Sequence, residues 1–318
     1  MNLLYLIKRF LSFTFTGIRL SVINIPDSYI ETFENTVRQL AQQKESRFRM
    51  CVTEVSKQSE SHNWDRLAES SAREKTSPRT VSPSGGNGSG AVGSTDGLDW
   101  TRRKTLIKTF DTGEVIEPED IVQMLIDPKN ASTENLVMNM KRQVDDIIIE
   151  NALGDALDGD GGTVTFPVAQ EVGDYSAEIS LDFITEVDEK FNENDVDMDI
   201  PRYFAIGPKQ RRKMLQLIEV VSGDYQDKKA LTDGYLPNFM GFNWILTNRL
   251  NVPAADQLDC FAFTPRGIGL HVAGDITADV AQRPDMSFAW QIYLKLHMDA
   301  VRTEDEHVVH CKLADTLV

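Results

Sequence analysis

The chain has 318 residues, 41% of them hydrophobic, and a formal net charge of -16. That length and apolar content suit one large or two ordinary domains with real cores and exclude wholesale disorder. The negative total works against long-range attraction of the whole protein to nucleic acid, and three scattered cysteines (Cys51, Cys260, Cys311) with no C-x-x-C pair argue against a disulfide scaffold.

In the first 23 residues the longest uncharged stretch runs only from Phe10 to Ile18, between Lys8-Arg9 and Arg19. A spanning helix needs about 20 apolar residues, so this stretch is too short. No small-x-small cleavage site follows it. A signal peptide stays an alternative without a convincing cleavage site, and an amphipathic arm or residues from an upstream start codon is the preferred reading. A helix is expected from near Asp27, because Ile30, Phe33, Val37 and Leu40 recur at three- and four-residue steps.

From about Val52 to Lys104 apolar residues become sparse, and a Gly/Ser segment sits in the middle. Its GSGAVG matches G-x-G-x-x-G through Gly88, Gly90 and Gly93. A dinucleotide site needs a strand leading in and a helix leading out. The flanks EKTSPRTVSPSGGN and STDGLDWTRRK supply neither, which leaves a flexible segment. Connections inside compact domains usually run about 4–6 residues. A polar span this long is expected either to stay disordered or to find its partner outside its own fold. RKTLIKTFD closes it with a β-like alternation.

EPEDIVQMLIDP reads as a short helix ended by Pro128. The strongest helix is expected over 131–157, with Asn130 as N-cap, Glu134 in the first turn and a stripe of Leu136, Met140, Val144, Ile147 and Ile148. The glycines of GDGG are expected to stop it. TVTFPV reads as a strand, LDFITEVDEKFNEN as a helix, and RYFAIGP as a buried strand entering a helix at KQRRKMLQLI. CFAFTP, IGLHVA, ADVAQRP, MSFAWQIYLKLHMDAVRT and HVVHCKL read as strands. The class is α+β with an antiparallel C-terminal sheet, and no internal repeat is visible.

Chemistry-bearing motifs are thin. Asp155, Asp158 and Asp160 suggest a calcium loop, but no glutamate stands at its twelfth position. His307 and Cys311 would share one face of a strand with His310 on the other, and a zinc set lacks a fourth ligand. No G-x-S-x-G, H-E-x-x-H or P-loop occurs. The KQRRK cluster, Lys209 to Lys213, fits the solvated face of a helix after Pro208. No catalytic residue, cofactor or metal site is expected.

Charge is unevenly spread. Residues 1–110 carry 16 Lys/Arg against 11 Asp/Glu, a net of +5, and residues 111–318 carry 17 against 38, a net of -21. The basic third could contact nucleic acid or a membrane, or the acidic body of another copy. Arg79, Arg102, Arg103, Lys104 and Lys108 are the candidates for such contacts.

The run LDWTRRKTLIKTFDTGEVIEPEDIVQMLIDP, then KRQVDDIIIENALGDA, GGTVTFP, PRYFAIGPKQRRKMLQ and DYQDKKALTDGYLPNFMGFNWILTNRL, followed by the closing segment from Gly267, resembles the major capsid proteins of tailed bacteriophages. The likeness covers residues 98–312 and rests on the order and spacing of these segments. It implies the Hong Kong 97-type capsid fold. The parts would be an N-terminal arm (1–50), an extended β-hairpin loop with a Gly/Ser-rich tip (51–110) and a peripheral domain (111–180) with its spine helix at 131–157. An axial domain (181–270) and strands returning to the peripheral domain (271–318) would follow. It further implies a shell of hexamers and pentamers around double-stranded DNA, no enzymatic activity, and scaffolding, portal or decoration proteins as partners. The setting would be the virion, with the host cytoplasm during assembly and no membrane. Some members crosslink a loop lysine to a neighbour's asparagine; nothing marks Lys75, Lys104 or Lys108 for this. A non-viral nanocompartment of the same fold, or a nucleic-acid-binding module using the basic third, are the alternatives.

Overall fold

A computed structural model of the chain describes residues 39–67, 100–119, 128–216 and 238–315. Four strands come first: β1 (Thr53–Ser56), β2 (Ser61–Leu67), β3 (Trp100–Leu106) and β4 (Lys108–Ile116). The long helix α1 (Pro128–Leu153) precedes the short strands β5 (Ala156–Asp158), β6 (Thr163–Val164) and β7 (Glu171–Val172). Next stand α2 (Leu181–Glu193), β8 (Arg202–Ile206), α3 (Pro208–Met214) and β9 (Phe242–Leu246). The chain closes on β10 (Gln257–Phe263), β11 (Ile268–Arg283), β12 (Ala289–Arg302) and β13 (Val308–Ala314).

These strands form three sheets, ordered β1-β11-β12-β4, β7-β13-β10-β8-β9 and β2-β3-β5-β6. The first is an antiparallel hairpin, β11/β12, extended by β4 on one side and by β1, parallel, on the other. α1 packs along β12. Ile292, Leu294, Leu296 and Met298 alternate as a buried row with half-buried Tyr293, Lys295 and His297, the pattern of a sheet with one covered face. The second sheet carries the aromatic core: Phe48 stacks on Phe261 at 5.8 Å, and Tyr203 stacks on Phe263 at 5.5 Å. One apolar cluster runs from α1 through both these sheets.

Several expectations shift at their edges. α1 runs from Pro128, so Asn130 lies inside the helix and is no N-cap; proline's fixed φ suits a first helical turn. The helix ends at Leu153, not at 157. A Cβ on Gly154 would sit 2.7 Å from the Glu150 carbonyl oxygen, and Ala156–Asp158 is recruited as a strand against β3 and β6. The two strands expected at IGLHVA and ADVAQRP are one, β11, carried through two bulges flanking Gly274. TVTFPV is strand only over Thr163–Val164. The C-terminal strands are not purely antiparallel: β13 pairs β7, and β8 pairs β9, in parallel. β13 joins the second sheet through β10, whereas β11 and β12 stay in the first. α2 is where the pattern placed it, and Ser180 caps it by accepting from the Phe183 amide at 3.2 Å.

Of the helix expected from Asp27, residues up to 38 lie outside the described residues, and from Gln39 the chain is irregular as far as a 3-10 turn at Arg49–Cys51. Asp145, fully buried in α1, fixes this segment. Its carboxylate accepts from Ser46 Oγ at 2.5 Å and from the backbone amides of Arg47 and Phe48 at 3.1 and 3.2 Å. A buried carboxylate is tolerated because its lone pairs are met. The helix read in EPEDIVQMLIDP lies mostly outside the described residues; positions 118 and 119 are helical.

Candidate functional site

The stems of the polar excursion are strands of the body. β1 pairs β11 from Thr53 against Gly269 onward, and the Lys57 amide donates to the Val272 carbonyl at 3.1 Å. β2 and β3 then form an antiparallel ribbon in register from Ser61–Leu106 to Leu67–Trp100, and β3 also pairs β5. The expectation that this span lacks partners in its own fold therefore fails for the stems, which sequence-distant strands complete. Gly88, Gly90, Gly93, Lys75 and Arg79 lie outside the described residues.

Trp64 is the central anchor of the ribbon. Its indole lies on Gly269, where a Cβ would come within 2.6 Å of the ring, and its Nε1 donates to Thr105 Oγ1 at 2.8 Å. Arg66 Nη1 reaches the Thr303 carbonyl at 2.9 Å. Arg103 points inward: it is only 3% exposed and pairs with Asp305 at 2.8 Å, a carboxylate that Arg302 also holds at 2.6 Å. Its Nε and Nη1 find no partner among the described residues. Burial first, then the repulsion of Arg66 and Arg302, lowers the pKa of Arg103 against the pull of Asp305. Expected at a contact with another chain, Arg103 is instead held within its own subunit.

The other three candidates lie nearer solvent. Arg102 is exposed and meets Asp65 at 2.6 Å, Lys104 is half-buried opposite Asn63, and exposed Lys108 stands 3.6 Å from buried Asp299. Burial raises the Asp299 carboxyl above its ordinary value despite Lys108 and Asn151. At the outer end of the ribbon Leu67 and Trp100 oppose each other while 50% and 70% exposed.

Several of the remaining motif residues have partners within the chain. Asp158 belongs to the glycine turn, where the Gly161 amide reaches its carbonyl at 3.0 Å. His307 sits between Thr264 Oγ1 at 2.7 Å and Glu304 at 2.9 Å. His310 Nε2 lies 2.9 Å from Asp259, which also accepts from Asn251 at 2.7 Å and from the Tyr175 hydroxyl at 2.5 Å. Burial pushes the Asp259 carboxyl up, but His310, Tyr175 and Asn251 together hold it below the usual range. Tyr175 reaches in from a left-handed backbone, φ +66°, a strain that its hydrogen bond helps hold. Cys311 is buried in register with Cys260, and burial raises both thiols. In the KQRRK cluster Lys209 pairs with Asp315 and Lys213 with Glu178. Among the described residues no three His, Cys, Asp or Glu gather as a metal site, and no helix is long and apolar enough to cross a membrane.

This β-rich fold around one long helix is similar to those of solved phage capsid subunits. The capsid structure of cyanophage P-SCSP1u aligns over 95% of this chain and 100% of its own, with 15% identity and a TM-score of 0.67. The cyanophage Pam1 capsid aligns over 93% and 99%, with 13% identity and a TM-score of 0.69. For the capsid of Ralstonia phage GP4 the shares are 96% and 99%, with 9% identity and a TM-score of 0.65. No curated protein matches the sequence. A sequence profile described as phage capsid protein matches residues 25–315. The chain belongs to that family of bacteriophage structural proteins.

Proposed function

We propose that this chain is a major coat protein that assembles with copies of itself, as hexamers and pentamers, into an icosahedral phage head around double-stranded DNA. The observation that carries this reading is the family match across 25–315 together with structural likeness over nearly the whole length of solved capsid subunits. In this reading α1 is the spine helix of a peripheral domain, 181–270 contain the axial domain, residues 1–50 are an arm, and the excursion reaches a neighbouring subunit. Leu67 and Trp100 support the last point: an exposed apolar pair at the outer end of the ribbon calls for cover. Arg79, Arg102, Lys104 and Lys108 are then contacts to the acidic body of the neighbour. Many weak repeats of one contact suffice in a closed shell.

The basic stem is a poor grip for DNA, because Arg102, Arg103 and Lys108 already face carboxylates of their own chain. An acidic body of net -21 lets packaged DNA slide. The site of action is the virion, after assembly in the host cytoplasm with whatever scaffolding, portal and decoration proteins the phage supplies. Sedimentation and negative-stain micrographs of the full-length chain test the reading. Rings or shells are expected, and a monomer that persists at high concentration with its scaffold present would refute it.

A further inference from the structure

Two imidazoles meet where the ribbon lies on the body. His271, on β11, is fully buried, and its ring centroid is 5.3 Å from that of His62 on β2. His62 in turn packs edge-on against Trp64 at 4.8 Å, the side chain that covers Gly269. His271 Nε2 lies 3.0 Å from the Lys57 carbonyl and 3.3 Å from Ser59 Oγ, both in the link between β1 and β2. A carbonyl only accepts, so the proton of His271 is on Nε2. Its Nδ1 is buried without a partner among the described residues. The seam thus sets the His62 ring, tilted by 39°, against a buried imidazole whose Nδ1 has no partner among the described residues.

We propose that the His62–His271 pair is an acid-sensitive latch that holds the base of the β2–β3 ribbon on β11. The groups facing it are few. The β1–β2 link contributes Lys57, β2 itself contributes Asp65, and β3 presents uncharged Thr105 opposite His62. Across β11 from His271 stands Asp299 of β12, which is already engaged by Asn151 of α1 and Lys108 of β4. Burial, then His271 and Lys57, hold the pKa of His62 below the ordinary imidazole value, and Asp65 pulls weakly the other way. The sign follows. The docked ribbon binds the His62 proton more weakly than the free ribbon does. Docking is thus fully supported above the ordinary imidazole pKa and loses support as pH falls from there through the docked-state value. Protonating His62 would set a cation against the His271 ring and beside Lys57. The latch belongs to the single chain, so its failure would leave the shell reading standing.

Hydrogen exchange of the full-length protein, read by peptide at neutral and mildly acidic pH and corrected for intrinsic rates, tests it. Exchange in 57–67 and 100–107 is expected to rise about threefold or more on acidification, with β10 unchanged. His62→Phe keeps an aromatic face and removes the titration, so its rise should vanish; His62→Gln should behave alike if the phenylalanine packs badly. Gly269→Ala, which crowds Trp64, should raise ribbon exchange at both pH values and so shows that the measurement responds to release. A wild-type ribbon indifferent to pH, or a rise that survives in both His62 variants, overturns the latch.

Discussion

In β10 every residue from Leu258 to Phe263 is buried, whereas in β3 only Arg103 and Thr105 are. The first strand lies inside its sheet, flanked by β13 and β8, and needs nothing outside the chain. The second shares its ribbon with β2, borrows a short stretch of β5, and leaves Trp100 to solvent. Apolar side chains packed on one another make the subunit fold; in the coat-protein reading proposed above, the aromatic and charged groups held out on β3 are what would meet a neighbour.

The largest effect should come from the buried side. Phe261→Ala removes a buried ring stacked on Phe48 and tilted against Phe263 and should cost about 3–5 kcal/mol in urea unfolding. Trp100→Ser should move the same midpoint by no more than about 0.5 kcal/mol while depressing shell yield. Equal costs would erase the distinction. Next is the Asp259 network. Because its carboxyl is held below the ordinary value, its contribution is complete above that value and drains away as pH falls through the folded-state pKa. Asp259→Asn should lower stability at neutral pH by about 1–3 kcal/mol and flatten the acid limb of a stability-against-pH curve. Smallest is Arg102→Ala. Its pair with Asp65 is exposed, so subunit stability should change by less than about 0.5 kcal/mol. A loss of assembly at low salt that exceeds the loss of stability would sharpen the comparison, since the arginine would then matter only between copies.

Local signals were legible in the sequence and long-range ones were not. α2 lies where LDFITEVDEKFNEN was read as a helix, because the signal for it is contained within one stretch. β11 broke in two on paper because bulges beside Gly274 interrupt the period-2 pattern, while the backbone continues through them. α1 was carried too far because Ala156 and Leu157 look helical beside Leu153, and only their pairing with β6 and β3 makes them strand. Arg103 looked like its exposed neighbour Arg102; what separates them is Asp305, 202 positions away. The same distance problem hid Trp64 on Gly269 and His62 against His271. His310 drew notice as a metal ligand, yet its partner Asp259, which also accepts from Tyr175, comes from elsewhere in the chain.

The arrangement of the first sheet bears on how the protein is made. Its edges, β1 and β4, are synthesised early, while its centre, β11 and β12, ends only at Arg302. At about 5–20 residues per second, β4 waits roughly 10–40 s on the ribosome for the strand it must join. During that interval the early strands have no permanent neighbour and are exposed to pairing with other nascent chains. Prematurely terminated products, lacking the hairpin, would be left with unmatched edges and no way to close them.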